Sequence, residues 1–427
     1  MAFEIFPWCA MRRHSGERDI EATLRDIKEC GFTASCFIEA KDAPLCKRVG
    51  LDPIIYPFYA SPEKNGRTGG IDTYFTSSDG KVSIAAMLKD KSTSHEEIER
   101  ATMEALAEMP EEPFTLYVVD EPGAASFGRI KVMVDVAKKC RPDIDFHICL
   151  FPNYAMCGKP EMSQLETDTY EEYIEQYCKL LGNDVPMSVD NYEILIGMDN
   201  QNRNNEKLYY HNLIQCREAC DKHGVEFNYI INSNQLRTFV TIPTMSNLML
   251  QAFSVIAAGS RSIAWFTYFG RAHYCYAPVD DNGDEDIRTP VWYLLKEVNR
   301  RALSIGNELE RMKYTGMYFT DTSVSSRAKS VADCPAIKAF SSDLPCMIGT
   351  YDDGGDTVAI IVNTSLEHST RFEIDLGGET VWWSTEYNKY IKPLTKVGVD
   401  LPGAATKTTP AWLAPGDAVV VRVKNNV

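Results

Sequence analysis

Short apolar runs alternate with longer amphipathic runs over about the first 300 positions of this 427-residue chain, and no other feature limits the possible folds as much. Eight runs have the length and composition of buried β-strands. They lie at residues 4–9, 32–39, 53–58, 114–120, 146–151, 187–192, 227–232 and 262–269. Helical spacing of apolar residues occurs between them at 20–30, 95–107, 129–139, 169–181, 209–222, 245–258 and 291–306. Eight strand-then-helix units predict an α/β fold, a (β/α)8 TIM barrel, over residues 1–312.

The pattern changes at about residue 313. From there short alternating strands are separated by turns such as Asp-Asp-Gly-Gly-Asp at 352–356 and Ala-Pro-Gly-Asp at 414–417. Turns of this composition connect antiparallel strands. Residues 313–427 are therefore predicted to form a small antiparallel β-sandwich domain. Trp382 and Trp383 are candidate carbohydrate contacts there, although such a domain more often only packs against the barrel.

The formal net charge of -16 disfavours nucleic acid and anionic membrane surfaces as partners. No apolar run reaches the roughly 18 residues that a membrane span needs. The N-terminus shows no basic region followed by a long apolar core, so the chain is predicted to be cytoplasmic unless a leader has been removed. The charge and composition favour a neutral or cationic small substrate.

Thirteen cysteines are scattered without CxxC pairs, which predicts reduced thiols. Cys216, Cys220, His211 and His223 lie close together in sequence and could suggest a metal site. The favoured interpretation is that both cysteines are small buried residues on one helix face. No glycine-rich phosphate loop and no clustered ligand set is present, so no cofactor and no metal are predicted.

The strand at 114–120 ends in two adjacent carboxylates, Asp120 and Glu121, followed by Pro122 and Gly123. Functional residues of a TIM barrel follow the carboxyl ends of its strands. Neighbouring strand residues point to opposite faces, so both carboxylates face the axis only if the chain bends, and Pro122 and Gly123 predict that bend. The plain alternative is that Asp-Glu-Pro begins a helix.

Asp190, near the end of the sixth strand, is the second carboxylate position. Two carboxylates at one mouth, surrounded by aromatic and amide side chains, are what cleavage of a glycosidic bond requires. The substrate-binding candidates at the strand ends are Trp8, Glu39, Tyr56, Asn153, Tyr192, Asn232, Trp265 and Tyr268. Structural alternatives also exist: the tryptophans as core residues, the asparagines and Asp190 as helix caps, and Glu39 as a surface acid beginning the second helix.

With these motifs the chain resembles the (β/α)8-barrel glycoside hydrolases that carry a C-terminal β-sandwich. In the large clan that includes the cellulases and β-galactosidases, the acid/base Glu follows Asn at the end of strand four, often as Asn-Glu-Pro. Here the matching positions are Asp120, Glu121 and Pro122. The resemblance implies a carbohydrate substrate and the acid/base role for Glu121.

The chain departs from that clan at strand seven, where the clan has its nucleophilic Glu and this chain has Asn232, Ser233 and Asn234. The Asp120–Glu121 pair also resembles that of barrel hexosaminidases, in which the substrate's own acetamido group attacks. This analogy implies that Asp120 orients that group and Glu121 is the acid. Barrel families with carboxylates on strands four and six, such as the α-galactosidases, imply a third arrangement that uses Asp190.

A general acid must hold a proton near neutral pH, so burial or the neighbouring charge of Asp120 is predicted to raise the pKa of Glu121. Asp190 is predicted to stay ionised. A separation of about 5 Å between the two carboxyl groups predicts retention of configuration, and about 6.5–9.5 Å predicts inversion.

Two other classes of function stay open from the sequence. One is a barrel that binds carbohydrate without catalysis, because the strand-seven Glu is absent. The other is a lyase or hydrolase that uses a metal held by Asp120, Glu121 and Asp190. The long connection between residues 58 and 95 follows the third strand, and we predict that it forms a wall or lid of the substrate cleft.

Overall fold

The computed structural model describes residues 2–8, 20–59, 82–159, 161–192, 209–236, 243–270, 274–275, 277–281, 286–392 and 411–423. Within these ranges eight parallel strands occur in the order that the sequence predicts. They are β1 Glu4–Pro7, β2 Ala34–Ile38, β3 Asp52–Ile55, β4 Thr115–Asp120, β5 Asp145–Cys149, β6 Met187–Asp190, β7 Phe227–Asn232 and β8 Ser262–Phe266. Their near-continuous burial is typical of strands covered on both faces.

The eight strands close into a barrel. Hydrogen-bonded ladders connect them in two runs of four, β1-β8-β7-β6 and β2-β3-β4-β5. Two seams join the runs: Thr33 N donates to Ile5 O at 2.8 Å, and Leu150 N donates to Ser188 O at 2.8 Å. Every strand therefore has two parallel neighbours, and the predicted (β/α)8 barrel is confirmed.

Nine α-helices lie in the described ranges. They are α1 Ile20–Glu29, α2 Ala43–Arg48, α3 Ile84–Lys89, α4 His95–Leu106, α5 Phe127–Cys140, α6 Tyr170–Leu180, α7 Tyr209–His223, α8 Met245–Ala257 and α9 Pro290–Glu310. Local side chains define several starts; at α4 the Ser94 hydroxyl and the Glu97 carboxylate form a capping box. The sequence did not predict α2 and α3, because six residues are too few to show a helical period.

Nine antiparallel strands follow within the described part of the C-terminal region. They are β9 Lys313–Phe319, β10 Ala339–Ser342, β11 Cys346–Asp353, β12 Asp356–Asn363, β13 Thr370–Asp375, β14 Thr380–Ser384, β15 Lys389–Ile391, β16 Ala411–Leu413 and β17 Ala418–Val423. They form a six-stranded sheet, β9-β11-β12-β17-β14-β15, and a three-stranded sheet, β10-β13-β16. Ile348, Phe372 and Leu413 share the apolar layer between the sheets, which confirms the predicted sandwich.

The six-stranded sheet also packs on the barrel. Alternation along β11 sends Ile348 into the sandwich and Met347 into the barrel-side core. The approach to α8 is so close that a Cβ at Gly349 would lie 2.1 Å from the carbonyl oxygen of Ala257. The six-stranded sheet therefore packs directly on helix α8 of the barrel.

The long connection after β3 begins with a short strand pair in which Phe58 and Tyr59 face Ser83 and Val82. Helix α3 follows this pair directly. Most of the predicted cleft wall, residues 60–81, lies outside the described residues. No helix in the described ranges is long and apolar enough to cross a membrane.

Candidate active site

A β-bulge in β4 decides which side chains of this strand face the barrel axis. Tyr117 pairs with His147 and Asp120 pairs with Cys149, so three steps along β4 match two steps along β5. In a regular strand Tyr117 and Asp120 would point to opposite faces, and the extra residue puts both on the inner face. The bulge therefore directs the Asp120 carboxylate to the C-terminal mouth of the barrel, the end formed by the carboxyl ends of the strands.

The chain turns sharply one residue later. Glu121 has φ 43°, a left-handed conformation that costs a non-glycine residue energy and is common at functional sites. Its N–H donates to Cys149 O at 2.8 Å, and Pro122 O accepts from the Tyr173 hydroxyl at 2.7 Å. The bend was predicted at Pro122 and Gly123 but begins at Glu121, whose half-buried side chain lies at the mouth.

Asp190 is buried at the inner end of β6, in register with Ile230 of β7. Burial, followed by the charge of Asp120, raises the pKa of Asp190 to about 8, although the Tyr192 hydroxyl donates a hydrogen bond to it. Its Oδ1 has no partner within the described ranges. Burial and the neighbouring charge of Asp120 therefore favour the protonated form of Asp190 near neutral pH, which is contrary to the prediction that it stays ionised.

Cys149, which the sequence analysis missed, lies between the two aspartates. Its thiol donates to Leu150 O at 4.0 Å and interacts with the carboxyl groups of Asp120 and Asp190. Burial, reinforced by the charges of Asp190, Asp120 and Glu121, raises the pKa of this thiol well above its ordinary value. The thiol therefore stays neutral beside the carboxyl groups. The available signal was the alternation of β5, which puts Cys149 on the same face as His147.

Two buried amides occupy the end of β7, where a carboxylate was expected from the resemblance. The backbone of Asn232 is held by the Gln251 side chain, and its Oδ1 accepts from Asn234 N at 2.7 Å. Asn232 Nδ2 and both polar side-chain atoms of Asn234 have no partner among the described residues. Unpaired buried amides are costly, so these atoms are available to a polar ligand.

Two predicted binding residues, Tyr192 and Asn153, follow the carboxyl ends of β6 and β5. Tyr192 is half-buried, bonds Asp190, and stacks on Phe266 with 5.2 Å between ring centroids and 21° between planes. Asn153 is buried, and its Nδ2 donates to Gln215 Oε1 on α7 at 3.0 Å. Tyr192 thus presents an aromatic edge at the mouth, whereas Asn153 is anchored to the helix layer.

Trp8 and Tyr56 pack inside the barrel against Tyr117 of β4. Tyr56 stacks on Tyr117 at 5.3 Å, and Trp8 meets the same ring edge-on at 5.5 Å. Both side chains are almost fully buried. We call these packed rings the aromatic floor; for Trp8 this is the core role that the sequence left open.

The structure gives other contacts to three predicted binding residues, Trp265, Tyr268 and Glu39. The Trp265 indole N–H donates to Asn299 Oδ1 on α9 at 2.9 Å, and the Tyr268 hydroxyl bonds the Asp26 carboxylate on α1. Strand alternation explains the first: inward-facing Phe266 leaves Trp265 on the outer face. Glu39 pairs with Lys41 at 3.1 Å. These three side chains thus make packing and surface contacts away from the carboxyl groups.

Asn299→Ala is expected to lower the free energy of unfolding by about 2 kcal/mol, because the buried Trp265 indole N–H and Cys30 carbonyl oxygen would lose their partner. Catalytic constants should not change, since α9 lies behind the barrel wall. Urea unfolding and steady-state kinetics measure the two effects. A higher KM with unchanged stability would mean that Trp265 contacts the substrate after all.

The His and Cys residues of α7 make separate contacts. His211 Nδ1 bonds Ser325 Oγ at 2.7 Å, Cys216 bonds the Tyr170 hydroxyl, and Cys220 contacts the Met187 sulfur. In the described ranges no three His, Cys, Asp or Glu side chains are grouped as metal ligands.

Comparison with known proteins finds likeness in structure rather than in sequence. No protein-family model matches the chain, and no curated protein sequence does. A β-galactosidase from Bacillus circulans sp. alkalophilus has a TM-score of 0.58 at 7% identity, covering 99% of each chain. Gan42B, a GH42 β-galactosidase from G. stearothermophilus solved as a catalytic mutant, has a TM-score of 0.57 at 8% identity, covering 99% of this chain and 98% of that chain.

AmyP in complex with maltose has a TM-score of 0.50 at 10% identity, covering 95% of this chain and 89% of that chain. At such low identities these likenesses show the fold: a barrel followed by a C-terminal β-domain.

Proposed function

We propose that the chain is a glycoside hydrolase that cleaves an O-glycosidic bond at the C-terminal mouth of its barrel. The observation that carries the proposal is that three carboxyl-bearing residues meet at the end of β5. Asp120 pairs with Cys149, Glu121 N donates to Cys149 O at 2.8 Å, and Asp190 N donates to Leu150 O at 3.4 Å. Tyr192 and the unpaired amides of the β7 end border this cluster. Carboxyl groups in two protonation states beside an aromatic face suit a reaction that protonates a leaving oxygen and stabilises a cationic anomeric carbon.

The three carboxyl groups have different tasks in this scheme. Glu121, half-buried at the mouth, gives its proton to the glycosidic oxygen as the bond to the anomeric carbon breaks. Asp120 and Asp190 carry one negative charge between them, which faces the positive charge that develops at that carbon. Water then supplies a hydroxyl group to the sugar and a proton that restores Glu121.

A second candidate is a substrate-assisted N-acetylhexosaminidase, in which Asp120 orients the substrate's acetamido group. The absence of a carboxylate at Asn232 and Asn234 favours it, since the attacking group must then come from elsewhere. Asn232 Nδ2 and the Asn234 side-chain amide, which have no partner among the described residues, would suit an acetamido group or sugar hydroxyls.

Hydrolysis of a panel of α- and β-aryl glycosides, with and without N-acetyl groups, tests both candidates. We expect turnover by the wild type and by Glu112→Gln, an exposed acid before β4, and a large loss in Glu121→Gln. Turnover confined to N-acetylated sugars would select substrate assistance. Sugar binding without turnover on any substrate would refute the proposal in favour of a non-catalytic carbohydrate-binding barrel.

A further inference from the structure

A second cavity opens at the opposite, N-terminal end of the barrel. Its volume is about 820 Å³, which is within the range of sites for small molecules. It lies where the strands begin, so the aromatic floor separates it from the proposed active site. We call it the N-terminal cavity.

Four acidic residues from the odd-numbered strands line this cavity. Glu4, Asp52 and Asp145 are the first residues of β1, β3 and β5, and Glu226 directly precedes β7. We call these four residues the acidic ring. Strand alternation puts Asp145 and His147, and likewise Glu226 and Asn228, on one inward face. Every other strand therefore contributes one carboxyl group to a single layer at the N-terminal end of the barrel.

The positive charges that line the cavity are already engaged by other groups. Lys47 pairs with Asp52 at 2.7 Å, and Lys138 pairs with Asp184 at 2.7 Å. Arg261 acts on Glu226 through its charge, and its guanidinium group donates a hydrogen bond to the carbonyl oxygen of Glu310. Glu4 keeps some contact with solvent but lies deep in the recess; burial, then the charges of Asp52, Asp145 and Glu226, raises its pKa to about 7. Like charges held together without full compensation favour a cationic ligand.

Two polar atoms deeper in the cavity point to the same conclusion independently. His147 and Asn228 are 5% and 6% exposed, and both line the cavity. His147 Nε2 and Asn228 Oδ1 have no hydrogen-bond partner within the described ranges. Buried polar atoms without partners inside a cavity are expected to bond a ligand.

We propose that the N-terminal cavity binds a small organic cation whose ammonium groups are held by the acidic ring and by Asn228 Oδ1. A single coordinated metal ion fits less well, because no three acidic or histidine side chains in the described ranges are grouped as metal ligands. An organic cation with N–H donors at several points along its length matches the acceptors that are spread around the N-terminal cavity.

Calorimetric titration of the full chain with 1,4-diaminobutane tests the proposal, with 1,4-butanediol as the neutral molecule of the same shape. We expect the diamine to bind and the diol not to bind. Glu226→Gln and Asp145→Asn, both at the solvent side of the ring, should each weaken binding roughly tenfold. Glu99→Gln, an exposed acid on α4 away from the cavity, should leave the affinity unchanged.

NMR of the imidazole nitrogens shows where the diamine binds. The resonances of His147 should shift on saturation with the diamine, whereas those of exposed His95 at the start of α4 should not. Three outcomes would each overturn the proposal: the diol binds as tightly as the diamine, all the variants bind the diamine with the wild-type affinity, or the His147 resonances do not shift. None of these outcomes depends on glycosidase activity.

Discussion

Replacing Asp190 by Asn is expected to make the protein more stable and far less active. The amide keeps the shape of the carboxyl group but cannot carry charge beside Asp120 in the dry end of β6. The free energy of unfolding at about pH 8 should rise by several kcal/mol. Turnover should fall roughly 10³-fold, because the site loses a carboxyl group from its charged pair.

The stability gained in Asp190→Asn should depend on pH. The pKa of Asp190 rises from 3.8 to about 8 on folding, so between these values the folded state binds more protons than the unfolded state. The stability contributed by the protonated acid is therefore complete below pH 3.8 and is lost as pH rises towards 8. The gain in Asp190→Asn should be small near pH 4 and largest near pH 8.

Urea unfolding across this pH range measures the effect. Asp143→Asn is the control, because the Arg141 hydrogen bond lowers the pKa of this exposed acid and no gain at high pH is expected. If Asp190→Asn were destabilising at every pH, Asp190 would be ionised in the folded protein, and the assignment of a shared charge to Asp120 and Asp190 would fail.

Glu121→Gln is expected to lose activity in a way that depends on the leaving group. A general acid matters most when the departing oxygen is basic, so kcat/KM on an alkyl or sugar leaving group should fall by roughly 10³-fold. With an acidic leaving group such as dinitrophenol, which needs no proton, the loss should be small. Steady-state kinetics on a series of aryl glycosides measures this dependence.

The matched control is Glu112→Gln, which changes an exposed acid at the other end of the same strand. A uniform loss across all leaving groups in Glu121→Gln would assign Glu121 to binding or to support of the anomeric carbon. The acid would then have to be another carboxyl group of the cluster.

Local patterns were enough to predict the barrel, because each strand and long helix carries its own period and the parallel order follows from their alternation. The ends of β4 and β6 were found in the same way. The bulge in β4 was not, since Val118 and Val119 read as ordinary buried strand residues. Because the sequence does not show this bulge, it does not show that Asp120 points into the barrel.

Other parts of the site depend on register and on distances across the barrel. Trp265 points outward because of its pairing with Ile231 and Pro7, which no local pattern shows. The pKa of Asp190 is raised by burial inside the closed barrel and then by the charge of Asp120, seventy positions earlier in the chain. Such a contact exists only after the barrel has closed.

The most direct test of the central claim is a crystal structure of Glu121→Gln with an uncleaved oligosaccharide of the type that the wild type hydrolyses fastest. We expect the glycosidic oxygen within hydrogen-bonding distance of the side chain at position 121. The sugar ring on the hydrolysed side should lie beside Tyr192, with Asp120 and Asp190 beneath the anomeric carbon. A sugar bound on the C-terminal sheets, or at the mouth with its glycosidic bond remote from these carboxyl groups, would contradict the account.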